Sequence, residues 1–328
     1  MRRIRRILVA VKDPGATPLA GVAKAAQLAR AFDAELTVFQ ALRAPFSLTH
    51  DVSRLGEGPA DADRCTAEGQ QRLLQTIARR LRRRGIAVSV SDVWEHPAYT
   101  AILREAARVG ADLIVAEAHP RSHHAAGLLR LTDWELLQHS PVPILLVKQP
   151  HAYRRPRVLV ALDPDHTFGK PERLDAEVLA AGSAITQALH GSLHAVHAYA
   201  PVQPSVVARG STPAAIADAR RLSEAAAVEK LALAVRGAKI ARAQQHVVGR
   251  HVPDAIEEVA IRSRSSLVVM GAIARTGLTR LLIGNTAERV LDHLSCDVLV
   301  VKPSPRVTRR RAACERQRAI SPQAHPGS

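Results

Sequence analysis

A shift of 154 residues carries this sequence onto itself, placing Ile102 on Ile256, Ala106 on Ala260, Leu113 on Leu267, Leu145 on Leu299 and Lys148 on Lys302 without a gap. Repetition at that length constrains a fold more than any local pattern, because two copies of one unit must build the same supersecondary structure twice. A chain of 328 residues has room for two domains of ordinary size. The seam falls near Gln149 to Arg157, giving one unit over residues 1–150 and a second over 151–304. The remainder, 305–328, is polar and basic with scattered Pro and Gly, a composition that predicts disorder.

Within the first copy, apolar runs at Ile7–Val11, Leu36–Ala41, Ile86–Val93, Leu113–Ala116 and Ile144–Val147 predict strands. Between them lie helix-period segments at Leu19–Phe32, about Asp61–Arg83 with Leu73, Leu74, Ile77 and Leu81 turned inward, Ala98–Val109 and Leu131–His139. The order recurs in the second copy, with strands at Val158–Leu162, Leu193–Ala198, Ile240–Val248, Leu267–Met270 and Val298–Val301. Its helices run through Val178 and Ile185, from Pro213 to Val235 and from Pro253 to Ile261, and Gly210 to Pro213 is a loop into a helix cap. Strands alternating with helices imply parallel pairing with helices on both faces. Hydrophobic residues make up 47% of the chain and aromatics only 3%, so the cores are built from Ala, Val, Leu and Ile, which suits buried parallel strands.

The stretch from Ser265 to Pro303 carries the chemistry. A strand ends at Gly271, a loop runs through Ala274, Arg275 and Gly277, and Gly284, Asn285 and Thr286 lead into a helix reaching His293. Glycines let backbone approach a ligand closely, and helix N-terminal N–H groups attract anions, phosphate first among them. A tight turn is the alternative reading of the same glycines.

Composition removes several other classes. The net charge of +16 is concentrated at the ends, in Arg2, Arg3, Arg5 and Arg6 and in Arg306, Arg309, Arg310, Arg311, Arg316 and Arg318. No base-stacking aromatics accompany them, so no specific nucleic-acid partner is expected. Cys65, Cys296 and Cys314 form no CxxC pair, which argues against a zinc site or disulfide framework and fits a reducing compartment. Neither a signal-peptide core nor a membrane span is expected from the apolar runs. His123, His124, His246 and His251 lack paired ligand spacing and are read as surface histidines.

A strand ending in Asp, as in Val158 to Asp163, together with a glycine loop, a helix and Asp297 to Lys302, resembles a universal stress protein domain, and the resemblance covers both copies. The tandem layout, with Thr132 to Leu137 in one half and Gly284 to Glu288 in the other, resembles the two-domain E-type members. The resemblance implies two flavodoxin-like (Rossmann-like) α/β domains, each a parallel five-stranded sheet in the order 3-2-1-4-5, and a cytoplasmic stress-response role. Family members that bind ATP carry Gly, two residues, Gly, nine residues, then Gly and Ser or Thr. Gly271 and Gly284 fall on the first and last glycines, while Ala274 replaces the middle one and Asn285 the hydroxyl residue. A positive φ at Ala274 would cost about 1–2 kcal/mol. Asn285 can cap the helix, and Thr286 offers a hydroxyl one residue on.

Carried over, the motif implies ATP or a related adenine nucleotide, with Mg accompanying it, in the second half. Asp163 and Ala198 would lie at the nucleoside end, with Gly271, Ala274, Arg275, Gly284, Asn285 and Thr286 around the phosphates. In the first half Asp13 is read as the counterpart of Asp163. The 154 shift puts Glu117, Pro120, Arg130 and Leu131 at the loop positions, so no nucleotide is expected there. The first half is instead a partner, pairing with the second through their last strands as an intrachain pseudo-dimer, with Pro141 and Pro143 guarding the edge. A homodimer of whole chains is a further possibility under this reading. No residue is placed to activate water, so a binding protein rather than an enzyme is expected. The alternative from a different class is a scaffold without nucleotide, or a holder of an apolar or acyl ligand in the cleft between the halves.

Overall fold

The computed structural model describes residues 4–42, 59–95, 97–118, 131–165, 173–201, 212–272 and 285–303. The first copy contributes β1 (Arg6–Ala10), α1 (Ala20–Phe32), β2 (Glu35–Leu42), α2 (Pro59–Arg82), β3 (Val88–Trp94), α3 (Ala98–Val109), β4 (Leu113–Glu117), α4 (Leu131–His139) and β5 (Ile144–Val147). The second contributes β6 (Arg157–Leu162), α5 (Arg173–Ala188), β7 (Ser192–Ala198), α6 (Pro213–Ala234), β8 (Gln245–Val248), α7 (Val252–Arg262), β9 (Leu267–Gly271), α8 (Asn285–His293) and β10 (Asp297–Val301). Thr212 caps α6, its hydroxyl accepting from the Ala215 N–H at 3.2 Å, and Pro213 occupies the first turn, where no N–H is needed.

All ten strands form one sheet, in the order β3-β2-β1-β4-β5-β10-β9-β6-β7-β8. Read inward from either edge, each half follows 3-2-1-4-5, all parallel within the half. The halves meet where β5 and β10 run antiparallel, with Leu299 opposite Leu145, Val298 opposite Leu146 and Val300 opposite Ile144. Leu145 and Leu299 are the same position in the repeat, so the local two-fold axis passes between them.

Strand side chains alternate between two cores. Ile7, Val9, Leu113, Leu145, Val158, Val160, Leu267 and Leu299 pack under α1, α2, α5 and α6. Leu8, Ile114, Ile144, Leu159, Val268 and Val298 pack under α3, α4, α7 and α8. Equivalent helices of the two copies therefore share a face, as an in-plane strand junction about a two-fold axis requires.

Two element expectations are corrected. Leu73 is 43% exposed, because the buried stripe of α2 is Leu74, Ala78 and Leu81 at spacings of four and three, and Leu73 lies off it. The run from Ile240 is not one strand: Ile240 is buried, a 3₁₀ turn follows at Arg242–Gln244, and only Gln245–Val248 pairs with β7. Among the described residues no helix is long and apolar enough to cross a membrane.

Candidate functional site

β6 pairs with β9 on one side and β7 on the other, so Asp163, Gly271 and Ala198 come together at the carboxyl edge of three adjacent strands. Here the chain leaves β6 in one direction and returns to β9 in the other, the crevice where open α/β sheets collect ligands. Asn285 and Thr286 are the first two residues of α8. Ala274, Arg275 and Gly284 lie outside the described residues.

The edge beside β6 and β7 is rich in polar groups. The Asp163 N–H donates to the carboxylate of Asp175, on the first turn of α5, at 3.1 and 3.3 Å. Lys230 of α6 is ion-paired with Asp165, whose carboxylate also lies 3.3 Å from Nε2 of His197. That contact is not aligned as a hydrogen bond, and both ring nitrogens of the fully buried His197 are left without a hydrogen-bond partner. Beside this group a cleft of about 760 Å³ opens between α5 and α6, lined by Pro164, Asp175, Leu179, Lys230 and Leu233. Sequence reasoning had placed Asp163 and Ala198 but not Asp165, Asp175, His197 or Lys230. The only available signal was that His197 precedes Ala198 in a strand where an apolar residue would ordinarily face the core.

Gly271 and Glu117 occupy one position in the two copies, and their surroundings differ in a complementary way. A Cβ on Gly271 would lie 2.7 Å from Cδ2 of Leu174, so the leucine of α5 fills the space that a side chain would take. At the end of β4 the side chain is present instead: Glu117 Oε1 accepts from the Gly21 N–H of α1 at 2.6 Å. The residue before α1, Leu19, provides no side-chain cap, and the first turn holds no acidic residue, so Glu117 supplies the anion at that helix start. The helix residue it approaches is itself a glycine, and a Cβ on Gly21 would sit 2.9 Å from Glu117 Cγ.

The register also corrects one correspondence. Ile7 pairs with Leu113 as Val158 pairs with Leu267, so Lys12, not Asp13, stands opposite Asp163 in the repeat. Asp13 instead closes a local turn, its Oδ1 accepting from the Gly15 N–H at 2.8 Å.

The sheet order, the strand-end crevice and the duplicated unit agree with a match to the universal stress protein family model over residues 3–148 and 155–302. This chain belongs to the universal stress protein family. It is 30% identical to universal stress protein E of Escherichia coli (strain K12) over 226 residues, 67% of this chain and 69% of that one. It is 26% identical to the universal stress protein E homolog of Haemophilus influenzae over 308 residues, covering 92% of this chain and 98% of that protein. In fold it resembles a functionally unknown protein from Pseudomonas aeruginosa, with a TM-score of 0.69 at 23% identity over 95% of this chain and 98% of that one. A universal stress protein from Archaeoglobus fulgidus superposes with a TM-score of 0.60 at 16% identity, over 90% of this chain and 98% of that one. Both copies match the same family model, so the Glu117 arrangement is a divergence within a universal stress protein domain.

Proposed function

We propose that the second universal stress protein domain binds an adenine nucleotide, ATP or a relative of it, and that the first domain serves as its structural partner without binding one. The observation that carries this reading is the contrast between Glu117 and Gly271. In the first domain a carboxylate already neutralises the start of α1, and a second anion at that edge would be repelled. In the second domain the same strand end carries no side chain, and the spacing from Gly271 to Gly284 is that of the ATP-binding members.

The neighbouring groups fit a nucleotide laid along the edge in one direction. Asp163, Asp165 and Asp175 place carboxylates at the β6 end, Asp165 paired with Lys230, and carboxylate acceptors there suit ribose hydroxyls and base edges. The imidazole of His197 lies buried behind this edge, with Nε2 3.3 Å from the Asp165 carboxylate. Asp163 and Ala198 would hold the nucleoside, and Gly271, Ala274, Arg275, Gly284, Asn285 and Thr286 the phosphates, with the α8 N-terminus contributing N–H groups. Mg would accompany the nucleotide at its phosphates. The role is cytoplasmic ligand binding in a stress response rather than catalysis.

Mass spectrometry of the small molecules released on denaturing the purified protein tests this directly, and a thermal upshift with millimolar ATP tests it independently. An upshift abolished by Gly284→Arg and reduced by Asp163→Ala is expected. Equal melting temperatures with and without ATP would overturn it.

A further inference from the structure

We propose that Lys148 and Gln149, at the end of the first copy, are positioning residues for the nucleotide site of the second, holding α8 by its carboxyl end while its amino end faces phosphate. The inference rests on the nucleotide reading above and brings the first domain into it. Nζ of Lys148 donates to the carbonyls of Leu291 and Leu294, the latter at 2.7 Å. The side-chain amide of Gln149 donates to the Ser295 carbonyl at 2.6 Å. The last turn of α8 and the residues that leave it are thus held by side chains of the other copy.

This clamp is itself seated, because Oδ1 of Asp297 accepts from the N–H groups of both Lys148 and Gln149, at 2.8 and 3.0 Å. The other side of the two-fold axis is built differently. Lys302 donates to the Gln138 carbonyl near the end of α4 at 3.0 Å, but Pro303 stands where Gln149 does and Pro143 where Asp297 does. Neither the amide nor its seat is repeated there. The fuller clamp grips the helix of the copy that keeps the Gly271 to Gly284 spacing.

A helix of nine residues is too short to be stable by itself, so α8 is formed only as far as its surroundings hold it. Val290, Leu291 and Leu294 are buried, and Arg289 and His293 each lie 3.6 Å from a carboxylate of α7, Asp254 and Glu257. The clamp from Lys148 and Gln149 completes the last turn. Phosphate binds the N–H groups of a formed first turn, so affinity scales with the fraction of molecules in which α8 is formed. The direct pull of the Lys148 charge on phosphate is minor, since nine residues span about 14 Å, beyond a Debye length of about 8 Å. The coupling therefore runs through helix order, and it is reciprocal: bound nucleotide tightens the Lys148 and Gln149 backbone in turn.

Calorimetric titration of the full-length protein with ATP tests this. Lys148→Met should weaken binding by about fivefold or more, Gln149→Ala should weaken it by less, and Lys148→Arg should restore it. Leu74→Ala, a core truncation under α2 of the first copy, loses stability without touching α8 and should bind ATP as the wild type does. In the wild type, ATP should slow hydrogen exchange at the Lys148 and Gln149 amides, a response that a purely structural clamp does not give. Circular dichroism verifies that each variant is folded, and should Lys148→Met fail to fold, Gln149→Ala and the exchange measurement decide. Undiminished ATP affinity in the folded variants, or amides that do not respond to ATP, would overturn the inference and leave the nucleotide reading standing. A wild type that does not bind ATP would overturn that reading and this inference with it.

Discussion

Lys24 on α1 and Asp297 at the start of β10 meet 2.5 Å apart, with side-chain exposures of 1% and 0%, and they belong to different copies of the repeat. Asp297 is saturated. Oδ1 accepts from the N–H groups of Lys148 at 2.8 Å and Gln149 at 3.0 Å, and Oδ2 accepts from Lys24 and from the Tyr153 hydroxyl at 2.6 Å. Lys24 also donates to the Gln149 carbonyl at 2.6 Å and lies 4.9 Å above the Tyr153 ring. The stretch between the copies is therefore fixed to both of them. The repeat puts Pro143 where Asp297 stands, so the network exists on one side of the two-fold axis only.

Removing one partner of a buried pair strands the other charge, at a cost of about 3–5 kcal/mol. Lys24→Met should lower stability by that order in urea denaturation. Asp297→Ala should cost more, because two backbone N–H groups and a tyrosine hydroxyl lose their acceptor as well. The double variant should fall well short of the sum of the singles, and strict additivity would show that the pair is not coupled.

Lys148 and Lys302, the pair that first reveals the repeat, cross the junction in opposite directions. Lys148 donates to the carbonyls of Leu291 and Leu294 at the end of α8, and Lys302 donates to the carbonyl of Gln138 at 3.0 Å, near the end of α4. Each lysine thus caps the helix C-terminus of the other copy, where a cation is favoured. Burial draws the pKa of Lys302 down to about 8. The unfolded chain then binds more protons than the folded one between that value and the ordinary lysine range, so the contribution of Lys302 to stability rises with pH across this window and is lost as pH falls through about 8. Stability measured from pH 7.5 to pH 9.5, as roughly the span that brackets this titration, should therefore climb more steeply in the wild type than in Lys302→Met. Parallel curves would place Lys302 at an ordinary pKa.

Period and repetition made the architecture legible, because apolar alternation and a fixed offset depend only on the order of residues. What stayed hidden was whatever depends on contacts between distant segments. Gln149 to Arg157 is read as a seam, yet Tyr153 is buried within it and exchanges hydrogen bonds with Gln27 of α1 at 2.7 and 3.0 Å. Asp163, Ala198 and Gly271 could be placed because each ends a strand. Asp165, Asp175 and Lys230 could not, since nothing in their local sequence says that a loop and two helix faces converge. The hydrogen-bond partner of His246 is His194, on the next strand and 52 residues away, which no local pattern in the sequence would find.

Glu117 and Gly21 should behave as one unit. Gly21→Ala would bring its Cβ to 2.9 Å from Glu117 Cγ and should cost about 1–3 kcal/mol. Glu117→Ala strands the Gly21 N–H at the start of α1, with a penalty of about 1–3 kcal/mol. Combined, the two should cost less than their sum, since the alanine at Gly21 no longer meets the carboxylate. ATP affinity should be the same in all three variants and the wild type. A change in affinity with Glu117→Ala in a folded protein would place nucleotide in the first domain.

Gly271 presents the mirror case, and it separates packing from ligand contact. A methyl group there would stand 2.7 and 2.8 Å from Cδ2 and Cγ of Leu174, a side chain that is fully buried. Gly271→Ala alone should therefore destabilise by about 1–3 kcal/mol, and any loss of ATP affinity in it would be ambiguous. Leu174→Ala removes the obstacle at a cost of about 2–5 kcal/mol of its own. In that background the added methyl should be nearly neutral for stability, because the space it enters has been emptied. If the strand end is bare only to admit Leu174, the double variant binds ATP as Leu174→Ala does. If it is bare so that phosphate can approach the backbone, affinity falls again when the methyl is added, and this second result is the one expected of a nucleotide site at Gly271.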